Sequence, residues 1–285
     1  MLGTITKLSK ASIVGFGVVG KSTAAAWKVE RYVDVDDDGK LIYSSRDDDQ
    51  LKLDNKSNEE LFWDSSIFIL CVPTPTVGGK QDLSTLKWWV RRIVLKAQTR
   101  PLIVVRSTIL PGTMDKLEQK YGDEADFAHV PEFLNEKTAI QDAMKPEILL
   151  IGSNNLFVRE ELGALLENIV GKKPILCTSP EAELAKYALN GFFGLKVIFG
   201  NHLWDVAREI GADYDLIAKI LTKHKWGSKN GWKIWKDGYR GYGGKCLPKD
   251  IEAFGKKFNL GLLKTAHRIN KKLVAETIPD GRKTS

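Results

Sequence analysis

Cysteine is scarce in this chain: its 285 residues hold three, Cys71, Cys177 and Cys246, odd in number and far apart. None stands in C-x-x-C spacing, which argues against a disulfide framework and a zinc site and suits a reducing cytoplasm. Long apolar runs are missing too, and none reaches the roughly 18 residues a membrane span needs. The opening "MLGTITKLSKASIVGFG" leads directly into a strand-like run, without a secretory h-region or cleavage site. A cytoplasmic protein with no metal and no membrane partner is expected. What is present, 43% hydrophobic and 28% charged residues, is ordinary for a globular protein. The length allows a sizeable core and roughly two domains.

The formal net charge is +7, and the surplus gathers late, in "TKHKWGSKNGWKIWKDGYRGYGGKCLPK" and "RINKKL". Such a balance fits either a nucleic-acid binder or a site for anionic ligands such as dinucleotides and sugar nucleotides. Tryptophans interleave the lysines, as a single-strand binder would have them. A basic surface beside a phosphate site accounts for the same pattern, and no nucleic-acid partner is expected.

The first 50 residues read as strand, glycine turn, helix, strand. "ASIVGFGVVGKSTAAAW" carries Gly15, Gly17 and Gly20 in G-x-G-x-x-G spacing around Val18 and Val19. The motif follows an apolar run and opens an alanine-rich helix, the setting in which backbone and helix N-terminus approach a dinucleotide pyrophosphate. A dinucleotide is the ligand this points to. The acid for the ribose hydroxyls belongs about 20 residues on. In "RYVDVDDDGKLIYS" the strand-like pattern ends at Asp36, the first choice, with Asp34 as the alternative. "DDDG" before "KLIYS" reads as a hairpin turn, and its glycine and glutamate spacing does not fit a calcium loop.

"SIFILCVPTPT" is a continuous apolar run, as a buried parallel strand should be, and it breaks at Pro73-Thr74 where a cofactor could lie. "PLIVVRSTILPGT" gives another strand ending near Thr108, "FAHVPEFLNE" one leading to Glu132 and Glu136, and "EILLIGS" and "KPILCTS" two more. "LSTLKWWVRRIVLKA" and "NLFVREELGALLENIV" have helical periodicity. Alternation of this kind predicts an α/β fold, a Rossmann-like doubly wound, mostly parallel sheet, over residues 1–179. From Pro180 the pattern changes to one long helix ending at Gly211. Helices at "DYDLIAKILTK", "PKDIEAFGKKF" and "GLLKTAHRINKKLVAETI" complete an all-helical domain over 180–285.

Chemistry gathers in "GYRGYGGKCLPKD". Cys246 follows a glycine-rich turn with Lys245 and Lys249 beside it, and both cations favour a thiolate. On the long helix Lys186 and Asn190 are four apart and share a face, a charge and an amide donor suited to an oxyanion. Glu132 and Glu136 follow a strand, where carboxylates serve as acid or base. Each piece alone is also compatible with a bland surface or turn role.

Taken in order, "GFGVVG", "CVPTPT", "RSTILPGT", "VPEFLNE", "EAELAKYALN" and "GYGGKCLPKD" resemble the UDP-glucose/GDP-mannose dehydrogenase family from about residue 12 to 255. The resemblance implies oxidation of a sugar-nucleotide alcohol to a carboxylate by two NAD in succession, with Cys246 as nucleophile through a thiohemiacetal and a thioester. It implies that Lys186 and Asn190 stabilise the oxyanion and that Asp250 positions water or takes a proton. Thr108 and Glu136 would hold the catalytic water, and Glu132 would assist hydrolysis. NAD would meet the glycine loop, Asp36, Pro73, Thr74 and Thr108. The sugar nucleotide would meet Phe133, Leu134, Tyr242, Gly243, Gly244 and Lys249. A homodimer through the long helix is also implied, consistent with Phe192, Phe193, Val197, Ile198 and Phe199 on that helix.

Three departures stand out. Lys245 replaces a small or neutral residue, the approach "KWGSKNGWKIWKDGYR" has no match, and the third, C-terminal domain of family members has no counterpart in this sequence, as expected of either a natural short form or a truncated chain. The nucleotide would then be held by another subunit or by Trp226, Trp232 and Trp235, or the substrate would be smaller. UDP-glucose is the leading substrate; GDP-mannose or a UDP-amino sugar is the alternative. A 3-hydroxyacid-type dehydrogenase, which needs no thiol, and a catalytically impaired NAD-binding protein are the other readings.

Overall fold

The computed structural model describes residues 8–45, 55–235 and 237–279. The chain divides into two compact units, Met1–Thr74 with Asp82–Lys186, and Pro75–Gln81 with Tyr187–Ser285.

The first unit is built on strands β1 (Ala11–Val14), β2 (Arg31–Val35), β3 (Leu41–Ser45) and β4 (Ile67–Leu70), then, past a hairpin of the second unit, β7 (Leu102–Val105), β8 (Asp126–His129), β9 (Leu150–Gly152) and β10 (Ile175–Cys177). The short strands of that hairpin are β5 (Thr76–Val77) and β6 (Lys80–Gln81). In space the large sheet runs β10-β9-β8-β7-β4-β1-β2-β3. The inner ladders, β2-β1-β4-β7-β8, are parallel. Two antiparallel pairings interrupt this: β2 with β3, the hairpin read at "DDDG", and β8 with β9.

β1, β4 and β7 are apolar or small throughout because both faces are covered. Ile13, Ile69, Val104 and Ala128 face one layer, with residues of α1 (Val18–Trp27), α5 (Ala139–Met144) and α6 (Leu156–Val170). Their neighbours Val14, Phe68, Leu70, Ile103, Val105 and Phe127 face the other, with residues of α2 (Asn55–Trp63), α3 (Ser84–Lys96) and α4 (Thr113–Tyr121). Alternate side chains of a strand point to opposite faces, so a doubly covered sheet needs apolar residues at consecutive positions. α2, α4 and α5 are helices beyond those expected from sequence periodicity.

The chain runs outward from β1 to β2 and returns to β4 on the other side. The loops after β1 and β4 therefore flank the switch point where such sheets bind ligands.

The long helix is α7 (Ser179–Glu209), and Gly211 follows it at φ +71°. α8 (Tyr214–Lys223), α9 (Leu247–Lys257) and α10 (Gly261–Thr277) follow in the second unit. Asp213 caps α8 by accepting the Asp215 and Leu216 amides. The β5–β6 hairpin is fastened to the helices: Thr76 Oγ1 donates to the Lys249 carbonyl at 3.0 Å and Gln81 Nε2 to Tyr187 Oη at 3.0 Å.

The tryptophan-rich segment is mostly structural. Trp232 is buried, its Nε1 donates to the Ser228 carbonyl, and its own carbonyl accepts from Tyr214 Oη. Trp204 meets Trp235 edge-on, and the Arg240 guanidinium lies 4.5 Å from the Trp204 ring centre. Trp226, by contrast, is exposed.

Candidate active site

The glycine loop fits an anion. Gly15 sits at φ +86°, and a Cβ there would lie 2.9 Å from the Cys71 carbonyl oxygen, so only glycine passes this turn without strain. A Cβ on Gly17 would meet nothing within 4 Å, so its bare backbone borders open space. Gly17 is also the N-cap of α1 and offers no side-chain hydrogen bond, leaving the first-turn amides for a ligand. Val18 is exposed and opens the helix, whereas Gly20 is buried.

The two acids at the end of β2 part company. Asp34 Oδ2 accepts the Phe16 amide at 3.1 Å, against the glycine loop. Asp36 Oδ1 accepts the Asp38 and Lys40 amides and closes the hairpin turn. The position facing the loop thus belongs to Asp34 rather than to Asp36, the first choice from sequence. On the far side of the switch point, Pro73 is exposed and Thr74 is buried, its Oγ1 donating to the Thr108 carbonyl at 2.7 Å.

Glu132 and Lys186 form a buried pair. Lys186 Nζ donates to Glu132 Oε1 at 3.0 Å and to the Glu132 carbonyl at 2.6 Å, and lies 5.4 Å from the Phe133 ring centre. The Leu134 amide donates to Glu132 Oε2 at 2.8 Å. Burial pushes the Glu132 carboxyl up, but Lys186, the Leu134 amide and Arg106 outweigh it and hold it below the usual range. Glu132 is therefore an ionised acceptor. Glu136 stands apart, exposed at the head of a short turn, Glu136–Thr138.

Cys246 is exposed at the N-cap of α9. That helix end carries the positive end of the dipole and is where an anionic sulfur is best held. The other two thiols are unsuited to attack: burial pushes both Cys71 and Cys177 up to about 11. One turn into α9, Asp250 is 1% exposed. Asn190 Nδ2 donates to its Oδ2 at 2.8 Å, and Lys249 Nζ to its Oδ1 at 2.6 Å. The loop before the cysteine is pinned by α10: the Tyr242 amide donates to Asn270 Oδ1 at 2.7 Å, and Asn270 Nδ2 donates back to the Tyr242 carbonyl at 2.9 Å. Gly243 is half-buried and Gly244 exposed.

Three buried titratable groups were not singled out from sequence. Arg106, one residue beyond β7, has no partner at Nε among the described residues and stacks over Trp27 at 4.5 Å; burial lowers its affinity for a proton. His129 Nδ1 lies 2.9 Å from the Val105 carbonyl, and burial pushes the imidazole down to about 3, so it is neutral. Glu183 accepts the Gly112, Thr113 and Met114 amides at 2.7, 3.1 and 2.8 Å, capping α4 from α7. Its place three residues before Lys186 was the available signal. Among the described residues no group of acids, histidines and cysteines could hold a metal, and no helix is long and apolar enough to cross a membrane.

Residues 34–170 match the NAD-binding domain, and residues 180–272 the central domain, of the UDP-glucose/GDP-mannose dehydrogenase family. UDP-glucose 6-dehydrogenase AglM of Haloferax volcanii is 29% identical over 280 residues, covering 85% of this chain and 64% of that protein. GDP-mannose 6-dehydrogenase of Pseudomonas aeruginosa is 32% identical over 207 residues, covering 67% of this chain and 46% of that protein. The structure of a UDP-glucose dehydrogenase from Pyrobaculum islandicum shares the fold, with a TM-score of 0.74 at 24% identity over 95% of this chain and 70% of that one. The chain spans about half to two thirds of the length of these curated relatives. Over residues 34–170 and 180–272 it belongs to the UDP-glucose/GDP-mannose dehydrogenase family.

Proposed function

We propose that this chain carries the NAD-dependent oxidation of a sugar-nucleotide primary alcohol to a carboxylate, with UDP-glucose as substrate. The observation that carries the reading is an exposed Cys246 at a helix N-terminus, with buried, doubly bonded Asp250 one turn behind it. Asp34 takes the ribose hydroxyls and the open backbone at Gly17 takes the pyrophosphate. NAD, when bound there, would supply the acceptor for one hydride from the sugar C6, and a second NAD in succession the acceptor for the other.

The residues do the rest. Cys246 sulfur bonds to the C6 aldehyde carbon, and the carbonyl oxygen becomes an oxyanion. Lys186 and Asn190, one turn apart on α7, present an ammonium and an amide N–H to that oxygen. After the second oxidation the adduct is a thioester. Water then attacks its carbon, the C–S bond breaks, the thiolate leaves and the carboxylate forms. Glu132, held ionised, accepts a proton from that water, aided by Thr108. Asp250 keeps the Asn190 amide oriented. A dimer through α7 is supported by the apolar residues the helix leaves exposed, Phe192 at 62% and Phe199 at 54%, whereas Val197 and Ile198 are buried.

The test is NADH formation with NAD and UDP-glucose, beside Cys246→Ser. Two NADH per sugar, with the variant slower by several orders of magnitude, is the expected result. Equal turnover by the variant would remove the thioester route. GDP-mannose and UDP-N-acetyl sugars, run in parallel, decide the substrate.

A further inference from the structure

In the first unit, one side of α4 and the opening turn of α3 enclose a cavity of about 300 Å³, at the small end of the range that holds ligands. Leu83, Leu117 and Tyr121 supply apolar wall, and Lys87, Lys116 and Lys120 line it as well. It shares no residue with the glycine loop, the Glu132–Lys186 pair or the cysteine turn.

The charge on this wall is all of one sign. No acid is among the lining residues, and none of the three lysines forms an ion pair among the described residues. The neighbouring acids are engaged elsewhere. Asp82 accepts the Ser84 amide at 2.8 Å, which, with a smaller contribution from Lys87, holds its carboxyl below the usual range. Asp115 and Glu118 of α4 each accept from Asn154 Nδ2, at 3.0 and 2.8 Å.

The chain by itself gains nothing from this placement. Lys116 and Lys120 are four apart on α4, and like charges at that spacing repel. Lys87 stands in the opening turn of α3, where the positive end of the helix dipole disfavours a cation. An anion among the three ammonium groups offsets both costs. Lys120 Nζ also lies 5.1 Å from the Tyr121 ring centre, so charge and ring stand side by side.

We propose that this cavity binds a small phosphomonoester: the phosphate lies among Lys87, Lys116 and Lys120, and a ring-sized body rests against Leu83, Leu117 and Tyr121. A phosphate carries about −1.5 to −2 charge at pH 7, which answers three ammonium groups better than a single carboxylate does. Lysines hold phosphate as point charges and need no fork geometry. The site does not rest on the sugar-nucleotide reading, since no lining residue has a part in that chemistry.

Isothermal titration of the whole chain tests it, with phenyl phosphate and benzoate as probes. Phenyl phosphate is expected to bind, and benzoate, with a single charge, to bind several-fold more weakly. Lys116→Gln with Lys120→Gln is expected to weaken phenyl phosphate about tenfold or more, the scale of hydrogen bonds to a charged group. Lys219→Gln with Lys223→Gln removes the same charge from α8 and is expected to leave the isotherm unchanged, which general attraction to a basic protein would not do. All four lysines are exposed, so neither double variant disturbs the core. Saturating NAD is expected to have no effect on phenyl phosphate binding. Absence of binding at millimolar concentration, equal weakening by both double variants, benzoate as tight as phenyl phosphate, or displacement by NAD overturns the proposal. No turnover enters the measurement, so its failure is distinguishable from that of the NADH assay.

Discussion

Glu132 and Glu183 are both buried carboxylates of the first unit, and their surroundings drive them in opposite directions. Lys186 and the Leu134 amide outweigh burial at Glu132, so its ionised form is favoured in the fold. Its stabilising contribution is present above the ordinary value of 4.5 and lost as the pH falls below it. Burial wins at Glu183, whose carboxyl is pushed up to about 7 despite three backbone donors. Its contribution is present below 4.5 and lost as the pH rises through 7. The melting temperature of Glu183→Gln should therefore gain on that of the parent between about pH 5 and 8; a constant difference over that window would refute the assignment. At the cofactor loop, Asp34→Asn should raise KM for NAD several-fold with kcat little changed. Asp36→Asn should leave KM alone and loosen the hairpin. Steady-state kinetics at varied NAD distinguishes them, and the reverse pattern would return the ribose role to Asp36.

Among the elements, α10 has a task that its own sequence hides. Asn270 accepts from and donates to the backbone of Tyr242, four residues before the nucleophile, and so holds the loop that delivers Cys246 to the head of α9. Asn270→Ala leaves a buried amide and a buried carbonyl unsatisfied, a cost of about 1–3 kcal/mol. A lower denaturation midpoint is expected, with loss of Cys246 reactivity toward a thiol reagent larger than the loss of global stability explains. Unchanged thiol reactivity in a folded variant would show that the loop holds itself. α7 works differently. It carries Glu183, Lys186 and Asn190 at helical spacing.

At the scale of the whole molecule, α7 also bears on assembly. An α-helix of 31 residues with two largely exposed phenylalanines seven apart presents one apolar stripe. Sedimentation velocity at micromolar concentration should give a dimer, and Phe192→Glu with Phe199→Glu should give a folded monomer. A parent chain that sediments as a monomer removes the dimer.

The local features were legible in the sequence because their cause is local. Consecutive apolar residues at Ile67–Leu70 and Leu102–Val105 answer to a sheet covered on both faces, and the periodicity after Pro180 answers to one long helix. Cys246 was legible because glycines, lysines and a cysteine stand together in the chain. Asp34 and Asp36 could not be separated that way, since residues two apart in a strand share a face; in the fold Asp36 closes the hairpin turn and Asp34 meets the Phe16 amide. Glu183, Arg106 and His129 carried no sign of their surroundings, because burial and a distant backbone set their charge. The chain by itself determined the elements and the chemical groups each could present. Only the tertiary structure decided which carboxylates stay ionised and which acid faces the glycine loop, because desolvation and hydrogen bonding depend on neighbours far away in sequence.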